Sequence, residues 1–483
     1  MTNLNPILAQ LEPALNQTPE IIKHIHLIGI CGTAMASLAG MLKRQGYEVT
    51  GSDQNVYPPM SLFLQELGIP IHQGYQSQNL TPQPDLVIVG NVITRLNLEA
   101  IELGNLKIPY LSLPQALRYF AMHKKRSIVI TGTHGKTTTT ALISWILEKG
   151  GLNPSFMVGG IPVNFQQSFK LGQGNYFVIE GDEYDTAFFD KGPKFLHYKP
   201  EIVILTSIEF DHADIYRDLE HVLTSFRKLI ALIPENGLLI ANGDSPLVMA
   251  EAQKAKCPVI SYGLESKSAW QIRNLEIKDG YTHVEILKQG RFWLNLTTPL
   301  YGRHNISNLL SAMALADYLQ IDHTLLKMAL QDFKGVKRRQ EIRGEKQGIL
   351  VLDDFAHHPT AVRETIRAVR ERYPHRRLVA VFEPRSNSSR RNIFQDQYAR
   401  AFDQADLILI PEPGLMEKIP AAERFSALKL VQDLQQKGLK AFHCANTSQL
   451  LDEILNQAQK NDVILVMSNG SFDNLIEKLL NRL

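Results

Sequence analysis

The chain has 483 residues, of which 44% are hydrophobic and 21% are charged, and this length predicts about two to four domains. The 51 lysines and arginines nearly balance 49 acidic residues, so we expect no broad basic surface for nucleic acid. Cys31, Cys257 and Cys444 are too far apart for a Cys-x-x-Cys metal pair or a disulfide framework, which favours a reducing compartment. The N-terminal residues lack the pattern of a signal peptide, and no apolar run is long enough to insert into a membrane. These features predict a cytoplasmic protein.

Three blocks of the chain repeat one order of elements: a buried strand, a glycine-rich or polar turn, and an amphipathic helix. We place the boundaries near Lys124 and Val336, which predicts domains over 1–124, 125–336 and 337–483. Such alternation predicts an α/β fold with mostly parallel sheets, whose ligands collect at the carboxyl ends of strands. Residues 270–296 alternate polar and apolar side chains and predict antiparallel strands within the second block.

The first block opens with a strand that begins at His24 and ends in a glycine turn, followed by a predicted helix over 34–45. Gly29 and Gly32 lie in that turn, and Asp53 ends the second strand at the distance expected of a ribose-binding acid. A dinucleotide site would place a second glycine where Cys31 stands, which disfavours an NAD-dependent oxidoreductase. A glycine turn at a helix N-terminus suits the diphosphate of a nucleotide-sugar equally well.

The second block opens with a phosphate-binding pattern. An apolar strand over 127–131 leads into Gly132-Thr-His-Gly-Lys-Thr-Thr138 and a helical pattern. Glycines let backbone N–H groups surround phosphate oxygens, Lys136 reaches the β- and γ-phosphates, and the hydroxyl of Thr137 can hold Mg²⁺. The loop is shorter than the common pattern, and His134 occupies its centre. We expect this segment to bind ATP.

Two acidic segments follow at the ends of apolar strands. Glu180 begins one of them, Glu180–Asp185, and His212 ends the other, Glu209–His212. Mg²⁺ prefers oxygen ligands and bridges phosphates, so we expect Glu180, His212 and Thr137 to contribute to a metal site. For Asp182, Glu183 and Asp185 the sequence does not separate a metal ligand from a solvated loop charge.

Three later segments carry further candidates. His304 and Asn305 precede an alanine-rich helix and could meet an adenine base, although the segment alone reads as a helix cap. The basic cluster 337–339 could bring Arg339 to a γ-phosphate, although surface clusters of this size are common. Asp354 lies at the end of a buried strand, which is a typical ligand position.

Together these motifs resemble the Mur ligase family, the ATP-dependent amide-forming enzymes of peptidoglycan biosynthesis, over nearly the whole chain. The resemblance is carried by Gly132-Thr-His-Gly-Lys-Thr-Thr138, Glu180-Gly-Asp-Glu-Tyr-Asp185, Asp211-His212, Gly302-Arg-His-Asn305, Val336-Lys-Arg-Arg339 and Asp353-Asp-Phe-Ala-His-His-Pro359. It implies a Rossmann-like N-terminal domain, a P-loop ATPase-like central domain and a Rossmann-like C-terminal ligase domain. ATP and Mg²⁺ are the implied cofactors.

The first block resembles the branch of the family that handles UDP-N-acetylmuramate itself, through Gly29-x-x-Gly32 and Gly51-Ser-Asp53. That branch adds either L-alanine or, in peptidoglycan recycling, a whole murein peptide. Four stretches resemble the recycling ligases: Asp53-Gln-Asn-Val-Tyr-Pro-Pro-Met60, Gly90-Asn-Val-Ile-Thr-Arg95, Ala187-Phe-Phe-Asp-Lys191 and Phe382-Glu-Pro-Arg-Ser-Asn387. The resemblance therefore implies ligation of UDP-N-acetylmuramate to L-alanyl-γ-D-glutamyl-meso-diaminopimelate, with L-alanine addition as the alternative.

The resemblance also implies roles for individual residues. The implied catalytic residues are Lys136, Glu180 and His212. The implied metal ligands are Thr137, Glu180 and His212. The implied ATP-binding residues are Gly132, Thr133, His134, Gly135, Lys136, Thr137, Thr138, His304, Asn305, Arg339 and Asp354. The implied UDP-sugar residues are Gly29, Gly32, Thr33, Asp53 and Asn91. Arg385, Ser386 and Asn387 are candidate peptide residues because they follow a strand of the third block at its carboxyl end.

Two family features are missing from the sequence. Arg227 stands where relatives that act later in the pathway carry a carbamylated lysine, so we do not expect that modification. No Asp-Asn-Pro-Arg segment for free diaminopimelate is present, which fits an amine that arrives on a preformed peptide. A non-catalytic nucleotide-sugar sensor stays open as a further interpretation, and the oligomeric state is not predicted.

Overall fold

Three domains follow one another along the chain, each built on one main β-sheet, in the computed structural model. The structure describes residues 8–56 and 60–483. Residues 57–59, which belong to the stretch 53–60 quoted for the family resemblance, lie outside the described residues. Within the described ranges, none of the helices combines the length and apolar character needed to cross a bilayer.

The N-terminal domain holds a five-stranded parallel sheet. Its elements are β1 (His24–Ile28), α1 (Thr33–Arg44), β2 (Glu48–Asp53), α2 (Met60–Glu66), β3 (Ile71–Gln73), β4 (Leu86–Val89), α3 (Leu98–Asn105), β5 (Tyr110–Ser112) and α4 (Leu113–Phe120). The strands pair in the order β3-β2-β1-β4-β5. All residues of β4 are buried, as expected of a strand covered by helices on both faces. The helix predicted over 34–45 is confirmed as α1.

The central domain holds a ten-stranded mixed sheet and a separate two-stranded sheet. Its elements are β6 (Arg126–Thr131), α5 (Lys136–Lys149), β7 (Ser155–Met157), β8 (Phe169–Lys170), β9 (Tyr176–Gly181), β10 (Asp185–Ala187), β11 (Asp190–Pro193), β12 (Ile202–Leu205), α6 (Leu219–Leu232), β13 (Leu238–Asn242), α7 (Pro246–Ala252), β14 (Val259–Gly263), β15 (Trp270–Lys278), β16 (Tyr281–Lys288), β17 (Arg291–Thr298), α8 (Arg303–Tyr318) and α9 (His323–Gln331). The strand order of the large sheet is β17-β16-β15-β14-β13-β12-β6-β9-β7-β8, and β10 and β11 form the separate sheet. Strands β15–β17 pair antiparallel, as the alternating pattern predicted.

The C-terminal domain holds a six-stranded sheet. Its elements are β18 (Glu341–Lys346), β19 (Ile349–Asp354), α10 (Pro359–Arg372), β20 (Arg377–Phe382), α11 (Gln395–Tyr398), β21 (Leu407–Pro411), α12 (Ala427–Gln436), β22 (Ala441–Cys444), α13 (Thr447–Gln457), β23 (Asp462–Met467) and α14 (Leu475–Arg482). The order is β18-β19-β23-β20-β21-β22, with β18 antiparallel at the edge and the other strands parallel. Parallel strands alternating with helices in all three domains confirm the predicted α/β class.

The two interfaces between consecutive domains differ in chemistry. The N-terminal and central domains share one continuous apolar core, in which the buried ring of Phe169 packs edge-on against Phe63 at a centroid distance of 6.0 Å. A Cβ atom on Gly40 would lie only 2.8 Å from the Phe169 ring, so the two domains approach closely there. The central and C-terminal domains meet through both kinds of contact: Thr360 donates a 2.8 Å hydrogen bond to Glu209, and the ring of Phe210 packs against Phe394 at a centroid distance of 6.4 Å.

Candidate active site

The phosphate-binding loop leaves β6 and enters α5 through two glycines that no other residue could replace without strain. Gly132 and Gly135 have φ angles of 125° and 82°. A Cβ atom on Gly132 would lie 2.3 Å from the Thr206 hydroxyl, and one on Gly135 would lie 2.5 Å from the side-chain oxygen of Asn308. The backbone therefore turns tightly between two neighbouring segments, and the N–H groups at the start of α5 face the site as an anion-binding position.

Lys136 opens α5 and forms a partly buried ion pair. Its Nζ lies 2.9 Å from Oε2 of Glu183 and donates a 2.7 Å hydrogen bond to the carbonyl of Gly132. Burial acts to lower the pKa of Lys136, but the charges of Glu183 and Asp182 outweigh it and the pKa is raised. The carboxylate of Glu183 is only 3% exposed. The sequence did not separate Glu183 from a solvated loop charge, and the structure makes it the buried partner of the central lysine.

Thr137 and Glu180 form a second contact beside the loop. The hydroxyl of Thr137 donates a 3.0 Å hydrogen bond to Glu180, whose other oxygen accepts from the backbone N–H of Gly159. Burial raises the pKa of Glu180. Arg339 crosses from the C-terminal domain and donates a 3.3 Å hydrogen bond to the same hydroxyl. These oxygens have the character that Mg²⁺ requires of its ligands.

His212 lies against Glu183, with its Nε2 3.6 Å from Oε1. Burial acts to lower its pKa, but the hydrogen bond to Glu183 and the charge of Asp211 raise the pKa of His212 to about 9. Ligand atoms of Asp182, Glu183 and His212 all lie within 4.8 Å of one another. The predicted set of Thr137, Glu180 and His212 therefore falls into two parts, because His212 is grouped with Glu183 and Asp182.

The start of α8 supplies the far end of the site. Burial lowers the pKa of His304 to about 4, and its Nδ1 has no hydrogen-bond partner within residues 8–56 and 60–483. Asn305 donates hydrogen bonds of 3.0 Å to the carbonyl of Tyr301 and to the side chain of Gln340. A buried ring nitrogen without a partner is a position where a ligand can complete the hydrogen bonding.

Asp354 fixes the backbone of the segment that connects the central and C-terminal domains. Its carboxylate accepts hydrogen bonds of 2.8 Å from the backbone N–H groups of Gln340 and Ala356. Burial raises the pKa of Asp354, although the charge of Arg339 opposes this effect. Asp354 thus fixes the backbone next to Arg339, and it lies on the wall of the cavity.

These residues surround one cavity of about 950 Å³, to which all three domains contribute. The N-terminal domain reaches it through Ala34 and Leu113. The predicted residues on its wall are Thr133, His134, Gly135, Lys136, Thr137, Thr138, Glu180, His212, His304, Asn305, Arg339 and Asp354. A volume of this size accommodates a nucleotide together with part of a second substrate.

The predicted UDP-sugar residues lie at the carboxyl ends of adjacent strands in the N-terminal sheet. Gly29 has a φ of 85°, and Asp53 accepts hydrogen bonds from the backbone N–H groups of Cys31 and Asn55, at 2.9 and 3.0 Å. Gly32 and Thr33 open α1, and Asn91 is exposed just beyond β4. Because the strand order reverses between β1 and β4, this edge is the crevice where open α/β sheets bind ligands.

Family models match all three domains. The model described as "Mur ligase family, catalytic domain" matches residues 24–125, "Mur ligase middle domain" matches 130–316, and "Mur ligase, glutamate ligase domain" matches 338–470. Together they cover most of the chain. The chain belongs to the Mur ligase family. It is therefore an ATP-dependent ligase that forms carbon–nitrogen bonds, as the motifs predicted.

Individual Mur ligases are similar along nearly their whole length. The UDP-N-acetylmuramate–L-alanyl-γ-D-glutamyl-meso-2,6-diaminoheptandioate ligase of Escherichia coli (strain K12) is 40% identical over 95% of this chain and 98% of that protein. A crystal structure of a murein peptide ligase from Psychrobacter arcticus 273-4 is 34% identical, with a TM-score of 0.71 over 95% of this chain and 98% of that one. The UDP-N-acetylmuramate–L-alanine ligase of Desulforapulum autotrophicum is 33% identical over 95% of this chain and 98% of that protein.

The candidate peptide residues of this Mur ligase lie outside the wall of the cavity, on the loop after β20. Asn387 donates a 2.9 Å hydrogen bond to Asp214 of the central domain, and Arg385 donates one of 3.3 Å to Glu383. The hydroxyl of Ser386 donates to that of Ser389 at 2.9 Å. The loop therefore lies against the segment that follows His212, at the junction of two domains.

Sequence reasoning missed a second cluster beside the phosphate-binding loop. His134 of the loop, Glu209 after β12 and His358 before α10 bring their ligand atoms within 4.8 Å of one another. His358 was quoted only as part of a family motif, and Glu209 only as part of an acidic segment. No local pattern links these residues, because the cluster forms only where the C-terminal domain meets the central one.

Proposed function

We propose that this Mur ligase joins the lactyl carboxylate of UDP-N-acetylmuramate to the N-terminal amine of L-alanyl-γ-D-glutamyl-meso-diaminopimelate, splitting ATP to ADP and phosphate. The observation that carries the proposal is the single cavity to which the phosphate-binding loop and both outer domains contribute. Similarity along 95% of the chain to a ligase of that name supports the choice of substrates. A role in peptidoglycan recycling follows from a preformed peptide as the amine donor.

The reaction has two steps. A carboxylate is a poor electrophile, so one of its oxygens first attacks the γ-phosphorus of ATP, ADP leaves, and an acyl phosphate forms. The peptide amine then attacks the acyl carbon, the carbon–oxygen bond to phosphate breaks, and the nitrogen loses a proton. The amide and inorganic phosphate are the products.

Lys136 and Arg339 supply positive charge to the transferred phosphoryl group in this proposal. In the described conformation Lys136 is paired with Glu183, so ATP binding exchanges one anionic partner for another. Lys136 acts from the central domain and Arg339 from the C-terminal domain, which makes the phosphoryl-transfer site complete only when the two domains meet.

Mg²⁺ fits the oxygen donors beside the loop. We assign Thr137 and Glu180 as ligand candidates, with His212 in the adjoining group that contains Asp182 and Glu183. The ion, when bound, neutralises charge on phosphate oxygens. Both Thr137 and Glu180 are held by hydrogen bonds to neighbouring groups, which orients their oxygens before substrate arrives.

The remaining sites follow from position. We assign the phosphates of ATP to the loop 132–138, and its adenosine end to His304, Asn305 and Asp354. The UDP-sugar is assigned to the N-terminal crevice formed by Gly29, Gly32, Thr33, Asp53 and Asn91. The loop with Arg385, Ser386 and Asn387 is our candidate for the peptide site. Our proposed domain limits remain 1–124, 125–336 and 337–483.

Contact of the C-terminal domain with the phosphate-binding loop also protects the intermediate. An acyl phosphate in open water would be hydrolysed, and closing a site over it prevents this side reaction. His358 and Thr360 stand on the wall of the cavity from the C-terminal side. Their domain therefore contributes a cover as well as charged groups.

A side-by-side ligation assay tests the proposal. UDP-N-acetylmuramate, ATP and Mg²⁺ are supplied with either the tripeptide or free L-alanine, and kcat/KM is measured for each amine. We expect efficient ligation of the tripeptide, because binding energy from its remote glutamyl and diaminopimelyl groups orients the attacking nitrogen. A higher kcat/KM for L-alanine would reject the recycling assignment in favour of L-alanine addition.

A further inference from the structure

The cluster of His134, Glu209 and His358 joins the phosphate-binding loop to the C-terminal domain. Oε2 of Glu209 lies 3.5 Å from Nε2 of His134 and 3.6 Å from Nδ1 of His358. The two imidazole rings are 4.8 Å apart between centroids. Two domains thus present two nitrogens and one oxygen to the same small volume.

The hydrogen bonds of His358 determine which of its nitrogens carries the lone pair that a metal needs. Its Nε2 lies 3.3 Å from the carbonyl oxygen of Phe210, which can only accept, so Nε2 carries the proton. Its Nδ1 therefore has the lone pair and caps α10 through a long 3.3 Å hydrogen bond from the backbone N–H of Thr360, which a metal ion at Nδ1 would replace. A histidine that ligates a metal through one nitrogen usually donates its other N–H to a carbonyl or carboxylate in this way.

The environment of His134 supports the same conclusion. Its Nε2 is buried and has no hydrogen-bond partner in the described part of the chain, 8–56 and 60–483. The carboxylate of Glu209 is 35% exposed, which leaves a route for an ion from solvent. A buried, unpartnered ring nitrogen and a lone pair on His358 thus both face one carboxylate oxygen.

The spacing of these atoms fits a metal ion. Zinc binds histidine nitrogens and carboxylate oxygens at about 2.0–2.2 Å in a tetrahedral arrangement, which separates neighbouring ligand atoms by about 3.3–3.5 Å. The observed separations from the Glu209 oxygen are 3.5 and 3.6 Å. Nitrogen donors select zinc or a similar transition metal over Mg²⁺.

We propose that Nε2 of His134, Oε2 of Glu209 and Nδ1 of His358 form a binding site for a divalent transition metal of the zinc class. The site is separate from the oxygen-rich magnesium position at Thr137 and Glu180. Because its ligands come from two domains, a bound ion holds the C-terminal domain against the phosphate-binding loop. Micromolar zinc then slows turnover at saturating Mg²⁺, since substrates enter and leave when these domains separate.

Cobalt(II) is the probe for the test, because its visible absorption reports nitrogen ligands directly. The full-length protein is freed of metals with a chelator and titrated with Co²⁺ in excess Mg²⁺, and Zn²⁺ is then added in competition. We expect one Co²⁺ per chain with bands that Zn²⁺ removes. His358→Asn retains a good helix-capping side chain and should weaken Co²⁺ binding ~100-fold or more, since even outer partners of a metal are worth ~10–100-fold.

The matched control is His357→Asn, which removes the neighbouring imidazole and should leave Co²⁺ binding unchanged. Glu209→Gln is a second variant that keeps an acceptor for Thr360, and it should weaken binding at least ~10-fold. If circular dichroism shows that His358→Asn is unfolded, the Co²⁺ affinity of Glu209→Gln tests the metal site instead. An unchanged Co²⁺ titration in both variants, no saturable binding, or bands lost only in His212→Asn would overturn the site.

Discussion

Lys136 and Glu183 form an ion pair with 2.9 Å between Nζ and Oε2, in which the Glu183 side chain is 3% exposed and that of Lys136 is 14% exposed. Glu183 also lies 3.6 Å from His212, so one carboxylate joins the phosphate-binding loop to the histidine at the end of the neighbouring segment. Replacing Lys136 removes the cation and leaves this carboxylate with His212 alone. The pair is therefore the first target for mutagenesis.

Lys136→Ala should abolish ligation while UDP-N-acetylmuramate still binds. The ammonium is assigned to the phosphates of ATP in the central domain, whereas the sugar nucleotide is assigned to the N-terminal crevice. Loss of one well-placed charge donor typically costs ~10²–10³ in rate. Turnover and calorimetric binding of UDP-N-acetylmuramate check the two halves of this prediction. A variant that keeps more than about a tenth of wild-type turnover would contradict the role of Lys136.

Glu183→Gln should lower both stability and activity. Breaking a buried ion pair leaves a charge without its partner and typically costs ~3–5 kcal/mol. Thermal unfolding and kcat are measured beside Asp185→Asn, a control in the same acidic segment whose partner, Lys191, is 67% exposed. Equal unfolding temperatures for the two variants would show that the pair with Lys136 does not stabilise the fold.

Glu180→Ala and His212→Ala should raise the Mg²⁺ concentration needed for half-maximal ligation. Glu180 is bonded to Thr137 beside the loop, and His212 belongs to the adjoining acidic group. Removing a ligand candidate weakens the hold on an ion that neutralises phosphate charge. Rates are measured over a Mg²⁺ titration at saturating ATP. A titration curve that coincides with the wild type would exclude that residue from the metal site.

Stability should fall as pH is lowered through the titration of His304. Burial lowers the pKa of this imidazole to about 4, whereas the unfolded side chain titrates near ~6.5. Below pH ~6.5 the unfolded state takes up the proton first, so the free energy of unfolding decreases until pH ~4 and is unaffected above ~6.5. The free energy of unfolding is therefore ~3 kcal/mol lower below pH ~4 than above pH ~6.5.

His304→Gln should therefore unfold at temperatures that depend less steeply on pH between about 4 and 6.5. His375 is exposed, so His375→Gln is the matched control and should follow the wild-type curve. Parallel curves for His304→Gln and the wild type, measured by scanning calorimetry on the ligand-free protein, would contradict the prediction.

Local patterns predicted much of this site. The phosphate-binding loop is one continuous segment, and its glycines, lysine and hydroxyl lie where the chain leaves β6 and enters α5. The ends of strands could also be predicted, because each apolar run ends where the chain leaves the sheet, and ligand-binding residues lie at those ends. Asp354 and Glu180 were found in this way, since each lies within or at the end of a mainly apolar strand.

What could not be predicted depends on contacts between distant parts of the chain. Glu183 looks like a surface charge in sequence, and it is buried where Lys136 and His212 approach it from two distant segments. Thr360 bonds to Glu209 across 151 residues, and His358 meets Phe210 across 148. Such pairs have no local signature, so sequence reasoning missed both the contact of His212 with Glu183 and the nitrogen-rich cluster.

The contrast between the two interdomain surfaces bears on how this protein can be divided for study. Phe169, which belongs to the central domain, fills a gap beside Gly40 and Phe63 in the N-terminal one. A cut between these two domains would expose an apolar surface on both fragments and would promote their aggregation. A cut between α9 and β18 leaves the core shared by the first two domains intact and uncovers the rings of Phe210 and Tyr301, so a fragment of these two domains for nucleotide-sugar screening is best cut there.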